Sequence, residues 1–166
     1  MTTTTTTTTT RMTIKARLAR LVERVLDQFF VRFDIGRRES PYMTRWTLWG
    51  KRFEGDTRVF LHRFHRSDSD TLHDHPWLFT SLVLWPGYYE ETPGGRRRWY
   101  GPLSLLRRPA TWVHRVFIPK GRGCWTLVVA GKKTRKWGFH CAEGFKPFDQ
   151  FLARAYAGLD PCGETP

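Results

Sequence analysis

Three histidines carry the chemistry that this sequence suggests. His73 and His75 stand two apart in Leu72-His73-Asp74-His75-Pro76-Trp77. In an extended chain, residues i and i+2 point to the same face, so the pair offers two imidazoles to one point from one strand end. A third, His114, sits in the strand-like run Trp112-Val113-His114-Arg115-Val116. Two imidazoles from one strand and a third from a later one can hold a single transition-metal ion. Neutral imidazoles suit Fe(II), Zn, Ni, Cu or Mn to differing degrees, and the spacing does not choose among them. The pair follows a polar loop, Ser67-Asp68-Ser69-Asp70, and precedes an aromatic strand, which is where the mouth of a barrel would fall. On a surface loop, His-x-His alone means nothing; the third histidine makes the set a candidate site.

The same alternation assigns the neighbours. Trp77, Phe79, Ser81 and Val83 turn inward with His73 and His75, while Trp112, Val116 and Ile118 turn inward with His114. The pocket so formed is aromatic with few polar groups, as ligand sites in barrels usually are. Trp77 and Ser81 are expected nearest a substrate. Arg63, on the preceding strand, can hold a substrate carboxylate or phosphate bidentately, or pair with Asp68, Asp70 or Asp74. Asp74 faces away from the histidines and suits bracing or a salt bridge better than ligation. His62 and His65 point to opposite faces, so one of them is a candidate to line the site; His140 reads as a surface or structural residue. Cys124, at a strand start, is expected to be buried, with no base placed beside it. Neither a Ser/His/Asp set nor a phosphate loop is present in the sequence.

These residues need elements to position them. Short aromatic and β-branched runs follow one another at Thr44–Trp49, Thr57–His65, Leu78–Trp85, Arg98–Tyr100, Leu103–Leu106, Trp112–Ile118, Cys124–Ala130 and Arg135–Phe139. Gly and Pro separate them, as at Gly50, Pro86-Gly87, Pro93-Gly94-Gly95, Pro109 and Gly131. Many short strands with such breaks indicate an all-β barrel or sandwich. Ahead of them, from Thr13 to about Phe33, Ile14, Leu18, Leu21, Val22, Val25, Leu26 and Phe29 recur at helical spacing, with arginines largely on the other faces. A basic amphipathic helix can lie on a membrane or grip a phosphate backbone; packing on the following domain is the expectation here. A short helix is expected over Asp149–Tyr156. The domain plan is a leader over 1–11, helix and linker over 12–40, barrel over 41–158 and a flexible tail over 159–166. The Thr2–Thr10 tract is low-complexity and expected to be disordered, and Met12 is an alternative start.

Composition narrows the class. The chain has 166 residues with 40% hydrophobic and 15% aromatic content, enough for one domain with a real core. No apolar run is long enough to span a membrane, and the start lacks the order of a secretory signal. With only three cysteines, reduced thiols in a cytoplasm are expected. Lys and Arg number 28 against 15 acidic residues, a net charge of +13 that makes nucleic acid a reasonable partner. The clusters Arg96-Arg97-Arg98, Arg107-Arg108 and Lys132-Lys133 with Arg135-Lys136 sit beside turn signals and read as solvated loops.

From about Trp46 to Phe148 the chain resembles the cupin superfamily of jelly-roll β-barrels. His73 and His75 match the first cupin motif, with Gly87 near its expected turn; Pro109 and His114 match the second loosely, its Gly being absent. The same stretch resembles small cupin-like proteins of bacteriophage genomes, through Arg66-Ser67-Asp68 ahead of the His pair and Trp137-Gly138-Phe139 near the end; for such a protein the compartment is the host cytoplasm. The resemblance implies an all-β, cupin-like jelly-roll barrel with an N-terminal amphipathic helix and a short C-terminal helix. Where the motif carries its Glu ligand this chain has Phe79-Thr80-Ser81, so the resemblance is to the three-His cupins, among them thiol dioxygenases that use Fe(II). That implies Fe(II) first among the metals and an oxygenase-type reaction on a small anionic substrate. Two other readings stay open: a non-catalytic basic module binding nucleic acid, and a structural or accessory protein pinned by metal. A homodimer through a barrel face is compatible with all three.

Overall fold

The computed structural model describes residues 14–37, 39–50, 57–120 and 122–163; the Thr tract and Met12 lie outside the described residues. The chain divides into two compact units, Met1–Phe30 and Val31–Pro166. The first holds helix α1, Ile14–Phe29. The helix ends earlier than its apolar spacing predicts. Val31–Arg37 form strand β1 instead, paired antiparallel with β2, Ser40–Trp49, from Val31↔Thr47 onward. A strand ladder on a waiting partner overrides local helical periodicity. The sheet therefore takes in residues that the sequence reading assigned to helix and linker.

The second unit is built on strands. After β1 and β2 come β3 (Arg58–Phe64), β4 (Leu72–His73), β5 (Phe79–Trp85), β6 (Tyr88–Thr92), β7 (Arg96–Tyr100) and β8 (Leu105–Arg108). Then follow β9 (Arg115–Phe117), β10 (Cys124–Ala130), β11 (Gly138–Cys141), β12 (Gly144–Pro147) and helix α2 (Phe148–Tyr156). One sheet runs β1-β2-β3-β10-β5-β8, with two three-stranded sheets ordered β12-β11-β4 and β7-β6-β9. An isolated antiparallel bridge between His73 and His114 joins the last two, beside β4 and immediately before β9. The expected all-β architecture with two flanking helices is what the chain adopts.

Alternation builds the interior. Phe60, His62 and Phe64 of β3, Phe79, Ser81 and Val83 of β5, and Cys124, Thr126 and Val128 of β10 are all buried. Met43, Phe64, Val83, Tyr88, Leu106, Val116, Ile118 and Cys124 form one core cluster, and Phe60, Phe79, Val128 and Ala130 a second. On the other face of β2, Trp46 is fully buried and stacks on Trp125 of β10 with ring centroids 5.6 Å apart.

Two expectations are corrected. Arg96–Arg98 and Arg107-Arg108 are not loop residues; they belong to β7 and β8, where each strand has a neighbour to pair with. Cys141 and Cys162 are not both free thiols. The chain after α2 returns to β11, bringing their Cα atoms to 5.6 Å, and the two are joined in a disulfide. Cys124 is free and buried, as expected, and burial pushes its thiol up to about 11. No helix among the described residues is long and apolar enough to cross a membrane.

Candidate metal centre and its cavity

The bridge that joins the two small sheets also assembles the histidines. His73 N–H donates to the His114 carbonyl and His114 N–H to the His73 carbonyl, each at 2.9 Å. On its other side β4 pairs with β11, His73 lying opposite Phe139. Beyond β4 the His75 N–H donates to the Ala110 carbonyl at 3.1 Å, tying the second histidine to the loop ahead of His114. The three rings form a near-equilateral triangle, with centroids 5.1, 5.2 and 5.0 Å apart. One ring nitrogen from each lies within 4.8 Å of the others.

Buried acids brace the triangle. Glu90 of β6 is 2% exposed, and its Oε1 accepts the Nδ1–H of His114 at 2.7 Å and the indole N–H of Trp112 at 3.1 Å. Arg108 Nη2 donates to Glu90 Oε2 at 2.6 Å and to the Tyr100 hydroxyl at 3.0 Å. Burial pushes the Glu90 carboxyl up, but the hydrogen bonds from His114 and Arg108 outweigh it and bring the group down to about 2. A carboxylate on Nδ1 leaves Nε2 of His114 as the lone-pair nitrogen, and that atom lies 2.8 Å from His75 Nε2 inside the triangle. Behind His73, Asp68 Oδ2 accepts the Val116 N–H at 2.8 Å and lies 3.9 Å from His73 Nδ1. Burial pushes the Asp68 carboxyl well up. Asp74 turns outward as alternation requires, accepting the Gly138 N–H at 3.0 Å and pairing with Arg135 and His140.

The donor set fits a metal ion. Burial, with lesser contributions from His114 and His140, lowers His73 to about 3, and burial also holds His75 well below the ordinary range. Both are therefore neutral at neutral pH with lone pairs available. His73 Nδ1 is buried without a hydrogen-bond partner. Metal–nitrogen bonds of about 2.1 Å place adjacent ligand nitrogens about 3 Å apart, close to the His75–His114 separation. Where the cupin motif would carry a carboxylate, Phe79 presents a phenyl ring with its centroid 4.7 Å from that of His75.

The triangle lines a cavity of about 680 Å³ between the sheets. Trp77 and Ser81 line it, and so does His62, one of the two histidines left open in the sequence reading. Arg63 does not. It lies opposite Thr44 and Trp125 on the outer face of β3, its guanidinium 5.4 Å from the centre of the Trp125 ring. The expectation that Arg63 meets a substrate or the loop acids is corrected by parity, since His62 takes the inward position. The arginine that does line the cavity is Arg45 of β2. Sequence reasoning passed over both Arg45 and Glu90. Arg45 sits inside a run taken as a strand and could have been found by alternation, whereas Glu90 lies on β6, a strand that was not anticipated.

No family model and no curated protein matches the chain. Solved structures do. A cupin-2 domain protein of Rhodospirillum rubrum aligns at 14% identity and a TM-score of 0.55, covering 81% of this chain and 90% of that one. A cupin 2 conserved barrel domain protein of Rhodopseudomonas palustris aligns at 12% identity and 0.54, covering 76% and 84%. FeII HppE aligns at 10% identity and 0.52, covering 62% and 57%. The fold is the cupin β-barrel.

Proposed function

We propose that this chain is a mononuclear three-His metal enzyme of oxygenase type that acts on a small anionic molecule held in the barrel. The convergence of His73, His75 and His114 on one point of the cavity wall carries the reading. These three residues hold the ion. The likeness to FeII HppE makes iron the metal to load first, with Zn, Ni, Mn and Cu as ions the same imidazoles accept. When bound, such an ion supplies Lewis acidity and open positions for a substrate and dioxygen.

The chain's own residues prepare that site. Glu90 keeps a proton on His114 Nδ1 and thereby aims Nε2 inward. Phe79 and Phe139 exclude water beside the imidazoles, and Trp77 and Ser81 offer a substrate an aromatic face and a hydroxyl.

Elemental analysis tests this reading, on protein made without added metal and without a His tag, beside the His73→Ala/His114→Ala double variant. Near-stoichiometric iron or another transition metal that vanishes in the double variant is the expected result, with oxygen uptake by the Fe(II)-loaded protein as the next measurement. Absence of metal from the wild type, even after anaerobic loading with Fe(II) or Zn(II), overturns it.

A further inference from the structure

The six-stranded sheet carries a row of polar side chains for which the metal site has no use. Arg45 of β2 lies opposite His62 of β3, and His62 lies opposite Thr126 of β10. All three line the cavity that holds the histidine triangle. His62 is 7% and Thr126 1% exposed, so the row is deep in the barrel. Arg45 Nε donates to His62 Nε2 at 2.9 Å, and its guanidinium lies 4.6 Å from the centre of the Phe60 ring. The Thr126 hydroxyl has no hydrogen-bond partner. A buried hydroxyl left unpaired costs about 1–3 kcal/mol, and a ligand that accepts its hydrogen bond removes that cost.

The chemistry of the row is specific. A guanidinium is a planar fork of donors matched to an oxyanion, and a hydroxyl beside it adds one more. Burial and the neighbouring Arg45 charge hold His62 well below its ordinary range, so it is a neutral neighbour and the row carries one positive charge. The rest of the wall is largely apolar, with Phe60, Phe64, Phe79, Trp77 and Val128 prominent. One cation in an aromatic chamber suits a monoanion on an apolar body better than a dianion.

We infer that Arg45 and Thr126 form an oxyanion subsite, and that the cavity takes a carboxylate joined to an aromatic or similarly flat apolar body. The carboxylate lies on the β2-β3-β10 face, and the body extends toward the histidine triangle. This inference rests on the proposed function for what happens at the triangle, but not for the binding itself.

The test uses the full chain and three probes: 3-phenylpropionate, its neutral isostere 3-phenylpropionamide, and phenyl phosphate, with affinities read by calorimetry. The wild type is expected to bind the carboxylate about tenfold more tightly than the amide, in line with one charge-assisted bidentate contact. Arg45→Gln should reduce that ratio to about twofold, Arg45→Lys should retain part of it, and Thr126→Val should weaken the carboxylate several-fold. Near-ultraviolet circular dichroism of each variant confirms its packing. The His73→Ala/His114→Ala double variant should keep the carboxylate preference, and that result supports the subsite even if the protein takes up no metal. A preference that survives Arg45→Gln but disappears in the double variant places the carboxylate at the histidines and overturns the inference. Equal binding of carboxylate and amide, or no binding of any probe by the wild type, also overturns it. Tighter binding of phenyl phosphate overturns the assignment to a carboxylate.

Discussion

At the scale of single residues, Glu90 and His114 do the work that the histidine spacing alone cannot. Imidazole has two nitrogens, and a site needs the correct one free; the Glu90 carboxylate on Nδ1 makes that choice. Glu90→Gln should lower metal affinity about 10- to 100-fold, as the loss of an outer carboxylate typically does. Competition against a chelator measures it, and unchanged affinity would remove Glu90 from the site. Acid should act through the histidines first. His73 is lowered to about 3 from an ordinary value of 6.5, so the unfolded chain takes up its proton first and stability falls as pH drops from 6.5 toward 3. Glu90, at about 2 against 4.5, keeps its stabilising contribution until pH falls below 4.5. Asp68, raised by burial, works in the opposite direction. The informative quantity is therefore a difference. In metal-free protein, the change in unfolding free energy from pH 7 to 5 should be less unfavourable in His73→Gln than in the wild type by about 2 kcal/mol. Parallel urea titrations at the two pH values would show it, and identical losses would dismiss the assignment.

Among the elements, the most legible were those whose alternation is complete within their own sequence. Strand β10 occupies the predicted Cys124–Ala130 span, and α2 begins within one residue of its predicted start. The elements missed were β4, β6 and β12, each of five residues or fewer. Such short runs carry too little pattern to be seen alone and exist because a partner strand supplies their hydrogen bonds. Strand β6 is the costly omission, because it carries Glu90. It begins after Gly87, whose φ of +124° and close neighbours explain the glycine. A Cβ there would come within 2.6 Å of the Trp99 ring and of the Tyr100 carbonyl oxygen. Gly87→Ala should destabilise the fold by about 3 kcal/mol and loosen the β6-β7 hairpin. Thermal unfolding and metal uptake should both suffer, since Glu90 shifts with the strand; a variant with wild-type melting and metal content would contradict this.

For the whole molecule, charge is the dominant long-range term. Several arginines are engaged internally: Arg108 with Glu90, Arg135 with Asp74, and both Arg97 and Arg115 with Glu91. The net charge of +13 nonetheless leaves the chain repelling itself. Moving from about 20 to 300 mM NaCl shortens the screening length severalfold and should raise Tm by a few degrees. A Tm that falls with salt would show that attractive pairs outweigh the repulsion.

By itself, the sequence determined the all-β class, the two helices, and the inward parity of the three histidines along with Trp77 and Ser81. Period-two patterns and Gly/Pro breaks are local, and each strand carries its own copy of the signal. Tertiary structure alone decided which strands meet. The His73–His114 bridge, the Glu90 carboxylate behind His114, the displacement of Arg63 by Arg45 and the Cys141–Cys162 disulfide all join residues far apart in the chain. Pairing across a sheet is set by register and closure, which no single strand encodes.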